Sequence, residues 1–480
     1  MPITVLGGTK VADTAFSVAN SVRMNGDARM YITPSAGDAD KWTFSCWVKR
    51  SIITSGSQTL FSAKDGSNNM TEIRFNSNDT IDYYSEDGSG GFSGRLNTSR
   101  TFRDPAAWLN VVAVWDSENG TAGNRMRLYI NGTEETSFAT DTNPSDGDDS
   151  YIGTNIVHTV GDKGDDSQNF KGYMAEVYYC NGQAYAASDF GEFDEDSPTI
   201  WKPKDASGLT FGTGGFYLDF EASDNLGNDA NGGTDLTESG LAAADQAVDS
   251  PTNNFCTMNP LDNYYAAGTF SEGNCQVITS AGNTTWGTST FGLSAGKWYY
   301  ECKIPTGGLG GGEIQGIIDR PAASTSTKPY NASGGKNACW RSGGDLYIDD
   351  SNDTDFTPGG GDLWTADDIL GVFLDLDNNK IYCAINGTIA ISGVGADITA
   401  VASTLHKAYF IIAGDSNTAS TTFQFNFGGC SSFALSSAVS DANGYGNFEY
   451  SPNQGGASNF DSAAKDFLAI CSKNLGSDGG

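Results

Sequence analysis

Residues Arg125 to Thr133 read RMRLYINGT, and Lys380 to Thr388 read KIYCAINGT. In the first run, alternation sets Met126, Leu128 and Ile130 on one face and Arg127 and Tyr129 on the other. That is the pattern of a strand with one face buried and the other wet. Ile381, Cys383 and Ile385 alternate in the same way. Each run ends on Asn-Gly, the dipeptide that supplies the positive φ values of a two-residue hairpin. The two Asn-Gly pairs therefore read as turns, and their separation in the chain predicts two separate antiparallel sandwiches more than one duplicated site.

Working outward, WTFSCWVKR (Trp42 to Arg50), TLFSAK (Thr59 to Lys64), TEIRFN (Thr71 to Asn76), WLNVVAVWD (Trp108 to Asp116) and GYMAEVYYCNG (Gly172 to Gly182) repeat the strand pattern. So do GKWYYECKI (Gly296 to Ile304), DILGVFLDLDNNKIYCAINGT (Asp368 to Thr388), KAYFIIAGD (Lys407 to Asp415) and TTFQFNFGG (Thr421 to Gly429). Turn-forming Gly, Asn, Asp and Ser bound them all, as in β-sandwiches. A short helix is expected only near SAAKDFLAICSKN. The fold class is thus all-β, with two antiparallel β-sandwiches. The organisation expected is an N-terminal arm (1–19), a first sandwich (20–220), an acidic glycine-rich connection (221–251) and a second sandwich with a C-terminal extension (252–480).

At 480 residues the chain is long enough for two or three cores. Its formal charge of −32 would repel nucleic-acid phosphates and anionic membrane surfaces, so neither is expected as a partner. No apolar run reaches the length of a membrane span, and MPITVLGGTKVADTAF lacks the basic and apolar regions of a secretion signal. The nine cysteines form no CxxC pair and sit inside strand-like runs, as reduced core residues would.

Segments SVRMNG, WTFSCWVKR, WLNVVAVWD, RMRLYINGTEE and FKGYMAEVYYCNGQAY resemble, in that order, a laminin-G-like jelly roll of the concanavalin A type. Residues 285 to 430 resemble a SPRY-type sandwich through GKWYYECKI and DILGVFLDLDNNKIYCAINGT. ASDFGEFDEDSPTIWKPK, GFYLDFEASDNLGNDANGGTDLT, QAVDSPTNNFCTMNPLDN and NGYGNFEYSPNQGG are similar to segments of tail-fibre and other structural proteins of tailed phages, particularly marine ones. The last resemblance implies a virion protein, synthesised in the host cytoplasm and carried on the particle exterior.

Candidate chemistry is sparse. EFDEDS (Glu192 to Ser197) comes nearest to the E-x-D-x-x-E strand of one large glycosidase family, but Ser197 stands where the third carboxylate belongs. A solvated acidic loop is the simpler reading of Glu192 and Asp194. His158 and His406 are the two imidazoles, one in each half, and neither lies in a catalytic or zinc motif. No cofactor is expected, although Ca²⁺ could be held by NPSDGDDSY (143–151), DKGDDSQN (162–169) or DNLGNDANGGTD (224–235), with ligands unassigned. Trp286, Tyr330 and Trp340 lie in polar, glycine-rich surroundings and are the candidate glycan-stacking platforms. The alternative for each is an aromatic packed beneath a loop.

The expectation is a non-enzymatic virion surface protein that attaches to a host-surface glycan or protein receptor, contacts other virion proteins and acts as a homo-oligomer. A purely structural capsid decoration or tail component is the alternative, and a polysaccharide-degrading enzyme the third reading.

Overall fold

The computed structural model describes residues 16–477, apart from 54–55, 67–68, 266, 282–284, 306–312, 320–335, 350, 354–364, 391–392, 403–406, 416–418 and 454–465. Two compact units meet in the sequence between Thr252 and Asn253. The expected N-terminal arm lies almost wholly outside the described residues.

The N-terminal unit runs through β1 (Ser21–Asn25), β2 (Arg29–Ile32), β3 (Lys41–Arg50), β4 (Gln58–Asp65), β5 (Asn69–Phe75) and β6 (Ile81–Asp87). It continues with β7 (Phe92–Thr98), β8 (Leu109–Asp116), β9 (Met126–Ile130), β10 (Thr133–Glu134), β11 (Phe138–Thr142) and β12 (Val157–Val160). Last come β13 (Lys171–Asn181), β14 (Gly191–Phe193), β15 (Trp201–Pro203), β16 (Phe216–Leu218), β17 (Thr237–Ser239) and β18 (Gln246–Ala247). One sheet has the order β10-β9-β8-β3-β13-β1-β18, with β16 also on β13; the other is β11-β7-β6-β5-β4-β12-β2-β17. Inward-pointing alternate residues fill the space between them. Trp42 and Trp115 stack with centroids 6.5 Å apart, and Phe44 lies on Phe61 at 4.6 Å. Truncating such a buried ring costs about 3–5 kcal/mol.

The segment expected as a connection is instead woven into this unit. β17 pairs with β2 and β18 with β1. Arg23 reaches Asp245 at 3.0 Å, and Lys49 reaches Asp249 at 2.7 Å with both side chains buried. These strands are only two or three residues long, too short to show periodicity, which is why the sequence pattern passes over them.

The second unit contains β19 (Met258–Tyr265), β20 (Thr269–Ser271), β21 (Gln276–Ile278), β22 (Thr285–Leu293), β23 (Lys297–Lys303), β24 (Glu313–Ile318), β25 (Asn337–Arg341) and β26 (Leu346–Ile348). It ends with β27 (Ser351–Asp353), β28 (Ile369–Asp375), β29 (Lys380–Ile385), β30 (Thr388–Ile389), β31 (Ala396–Asp397), β32 (Tyr409–Asp415), β33 (Thr422–Asn426) and β34 (Leu468–Ala469). Its sheets are β19-β22-β32-β24-β25-β26-β27 and β20-β21-β33-β23-β28-β29-β30, with β31 also on β29 and β34 on β23. The short helix α1 (Ser472–Ser477) begins inside the SAAKDFLAICSKN stretch and runs past it. The chain is nearly all β, as its composition predicts.

Both Asn-Gly pairs form two-residue hairpin turns. Asn131 and Gly132 have φ of 48° and 74°, and Asn386 and Gly387 have 47° and 75°. Thr133 pairs with Ile130, and Thr388 with Ile385. Each turn asparagine is also bonded twice to the neighbouring strand. Asn131 N–H donates to the Asn110 carbonyl at 3.0 Å while its Oδ1 accepts from Asn110 N–H at 2.8 Å. Asn386 does the same with Ile369, at 2.9 Å in both directions. The Trp201 ring lies against Gly132 and the Tyr450 ring against Gly387, where a Cβ would collide with them.

Candidate functional site

The outer faces of the N-terminal sheets differ in kind. On the β3/β8/β13 sheet, Val112, Val114, Tyr129, Tyr178 and Cys180 are buried beneath Ala187, Phe190, Ala206, Phe211 and Tyr217. This corrects the reading of RMRLYING: its Tyr129 face is covered, because the chain after β13 folds back over it. On the partner sheet the outer face of β5, β6 and β7 gathers polar residues instead, most of them buried against one another and Gln168, with Phe92 exposed at the margin.

Register brings them together. Glu72 stands opposite Tyr84, Arg74 opposite Asp82, and Tyr84 opposite Arg95, so alternation puts all five on one face. Asp82 accepts from Arg95 through Nε at 2.9 Å and Nη2 at 3.0 Å, a bidentate pair. Arg74 donates to Asp82 and to Glu72, each at 3.2 Å, and also to Asn76, Gln168 and the Tyr84 hydroxyl. Glu72 accepts from the hydroxyls of Thr59 and Tyr84.

Electrostatics follow from this closure. Both carboxylates are fully buried, and each is neutralised by a guanidinium, as a buried charge requires. Burial pulls the Arg74 pKa down, but Glu72, Tyr84 and Asp82 more than offset it and hold it above the ordinary value. Burial first, then the Glu72 charge, push the Tyr84 phenol up, so it remains a neutral donor.

The rings complete the face. Arg74 lies 4.9 Å over Tyr84, Arg95 lies 4.7 Å over Phe92, and Phe92 stands edge-on to Tyr84 at 5.4 Å. Phe92 is 39% exposed, which makes it the ring a ligand can reach. Chemically this is a charge-balanced platform: two immobilised guanidinium groups beside an accessible aromatic. Such a surface suits a ring with hydroxyl groups, which takes hydrogen bonds from fixed donors while its C–H face lies on the aromatic.

The sequence-predicted residues fall elsewhere. Trp286 on β22 and Trp340 on β25 are fully buried, so neither ring can present a stacking face. Both rings belong to strands, Thr285–Leu293 and Asn337–Arg341, and not to loops. Tyr330 and His406 lie outside the described residues. His158 is buried: Gly153 N–H donates to its Nε2 at 3.0 Å, Nδ1 faces the Ile156 carbonyl, and burial lowers its pKa to about 4. It is a neutral core residue. Glu192 is exposed but lies on β14 opposite Lys202, 3.3 Å away, and Asp194 is buried, its Oδ1 accepting the N–H groups of Asp196 and Ser197 in a turn, so the solvated-loop reading holds only in part.

The three acidic loops bind themselves. Asp148 accepts from Ser145 N–H, Asp162 from Gly164 N–H, and Asp229 from the N–H groups of Tyr217, Asn231 and Gly233. Burial, then Asp40, raise the pKa of Asp149 where Asp38, Asp40 and Asp149 crowd. Among the described residues no group of three or more His, Cys, Asp or Glu is arranged to hold a metal ion.

The signal that could have found the polar face of β5, β6 and β7 is the recurrence of charged or aromatic residues at outward positions on three successive strands, in TEIRFN, DYYSED and GRLN. Each strand alone reads as an ordinary wet surface, and only the register joins them.

Residues 25–186 match the family model described as the concanavalin A-like lectin/glucanases superfamily, laminin G type. That gives the N-terminal sandwich a concanavalin A-like fold. No relative was found among curated proteins. Among solved structures, the SPRY domain of human HERC1 is similar at 15% identity, over 37% of this chain and 99% of that one, with a TM-score of 0.28. A heptameric SAP-like pentraxin from Limulus polyphemus is similar at 14% identity, over 36% and 80%, with a TM-score of 0.28. The CBM40 of the Ruminococcus gnavus IT-sialidase, bound to α2,3-sialyllactose, is similar at 14% identity, over 34% and 96%, with a TM-score of 0.24.

Proposed function

We propose that the outer face of β5, β6 and β7 binds a neutral glycan, and that the chain serves as a non-enzymatic attachment component on the exterior of a tailed-phage particle. The observation that carries the binding reading is the closed network of Glu72, Arg74, Asp82, Tyr84 and Arg95 beside an accessible Phe92. Two arginines balance two carboxylates, so the face holds donors without a net positive field that would select acidic polymers. The concanavalin A-like match over residues 25–186 supports a lectin-type use of this sandwich. The virion setting rests on the resemblance of the joining segments to phage structural proteins. Copies arranged on a particle would multiply a weak single-site affinity.

A glycan array with the purified chain, followed by Phe92→Ala, tests the binding. Phe92 is partly exposed, so the variant should keep its thermal stability and lose binding roughly tenfold or more, the scale of one aromatic contact. Undiminished binding in Phe92→Ala sinks this face as the site. If no glycan and no host cell is bound while antibodies label the capsid, a structural role among virion proteins replaces attachment. Release of reducing sugar from host polysaccharide would overturn the non-enzymatic reading.

A further inference from the structure

The tetrapeptide Asp-Ala-Asn-Gly occurs twice, as Asp229–Gly232 in the N-terminal unit and as Asp441–Gly444 in the second. Both copies fold into the same turn. The aspartate accepts the asparagine N–H through Oδ1, at 3.0 Å from Asn231 and 2.9 Å from Asn443. Its carbonyl accepts the glycine N–H, at 2.8 Å from Gly232 and 3.1 Å from Gly444. Gly232 and Gly444 are exposed, have a φ of 81° each, and face open space where a Cβ would stand.

The two copies differ in how the asparagine side chain is held. Asn443 Nδ2 donates to Asn474 Oδ1 at 2.9 Å, and Asn474 is itself buried and bonded to Asp441 Oδ2 and the Ala469 carbonyl. The Asn231 amide makes no hydrogen bond among the described residues, and residues 230–235 around it are all exposed. Asparagine before glycine is prone to cyclise, because no Cβ shields the main-chain nitrogen that its side chain must meet. The chain has seven such pairs, and the remaining five are also held. Asn25 Nδ2 is bonded to Asp245, Asn119 through both amide atoms to Asp116 and Thr121, and buried Asn181 through both to the Asp38 main chain. Asn131 and Asn386 are tied to their neighbouring strands.

We propose that Asn231 is a site of spontaneous deamidation, with water as the reagent. The Gly232 nitrogen gives its proton to hydroxide and attacks Cγ of Asn231. The Cγ–Nδ2 bond breaks, Nδ2 takes a proton from the solvent and leaves as ammonia, and a five-membered imide remains. Water then opens the imide, at Cγ to give aspartate or at the main-chain carbonyl to give isoaspartate. The sum consumes one water and releases one ammonia, with no oxidant or reductant. Both turns must first release the glycine N–H from the aspartate carbonyl, so that cost is shared and the Asn474 bond makes the difference. Isoaspartate lengthens the main chain by one atom ahead of Gly232, and so displaces the Gly233 N–H that Asp229 Oδ2 holds at 3.1 Å. Asp229 also accepts the Tyr217 N–H on β16, so the lesion acts where this loop is fastened to the sheet.

Storing the full chain in mildly alkaline, isotope-labelled water and mapping its peptides by mass spectrometry tests the site, since the label separates conversion in storage from conversion during digestion. Asn231 should convert first, ahead of Asn443 on the order of fivefold or more, the worth of one hydrogen bond that must open. In denaturant, where neither amide is held, the two should convert at similar rates. Asn474→Ala should bring Asn443 up towards Asn231; where that variant does not fold, the comparison of native with denatured chain decides. Equal native rates in the two turns, a difference that survives denaturant, or faster conversion at another Asn-Gly pair overturns the proposal. So does an Asn231 that stays intact over a period in which the unfolded chain converts.

Discussion

Asn131 and Asn386 do the same thing in two separate sandwiches: each closes a turn and bonds the adjoining strand through both its N–H and its Oδ1. The glycine that follows holds a positive φ under an aromatic ring. Gly387→Val and Gly132→Ala should therefore each lose about 1–2 kcal/mol from backbone strain alone, and more from displacing Tyr450 or Trp201. Urea denaturation checks this as a lowered midpoint with unchanged slope; a variant of full stability that lost binding would show the turn to be a site after all. The turns were legible in the sequence because an Asn-Gly turn is decided by its own residues. The rings above them were not, since Trp201 and Tyr450 arrive from far along the chain. Trp286 and Trp340 were misread for the opposite reason: polar neighbours suggested a loop, but both tryptophans stand on strands with their rings buried.

Elements explain how each sheet of the N-terminal unit is used. The chain after β13, residues 183–217, covers one part of the β3/β8/β13 outer face, and residues 244–252 are fastened to another by two ion pairs. Asp249 also accepts from Trp108 Nε1 at 3.0 Å. Asp249→Ala should destabilise the unit by about 3–5 kcal/mol, because it deprives a buried ammonium of its carboxylate partner. A calorimetric scan would show this, and replacing Lys49 and Asp249 together by Met and Leu should recover most of the loss. Long alternating strands such as β3, β8 and β13 were readable from period two. The covering pieces were not, because two- and three-residue strands carry no period, and their acidic, glycine-rich sequence looks the same whether it joins units or docks on one. The polar face of β5, β6 and β7 lay between these cases: its residues were visible, and their convergence depended on pairing.

At the scale of the whole molecule, the division at Thr252 makes a direct prediction. A fragment spanning 12–252 should fold cooperatively on its own, with a β-type circular dichroism spectrum and a single unfolding transition. One spanning 12–220, the boundary suggested by composition, lacks β17, β18, Asp245 and Asp249 and should remain unfolded or aggregate. Equal stability of the two fragments would mean that residues 221–252 add nothing to the N-terminal core. The nine thiols have a further consequence for the molecule's chemical durability. All are buried, and burial pushes Cys180, Cys383 and Cys471 up to about 12, so at neutral pH almost none of these three is in the reactive thiolate form. Native protein in aerated water should ignore Ellman's reagent and release the full colour only in denaturant. A chain built this way keeps one covalent form through reducing and oxidising surroundings alike, with its weathering resistance set by packing and not by cross-links.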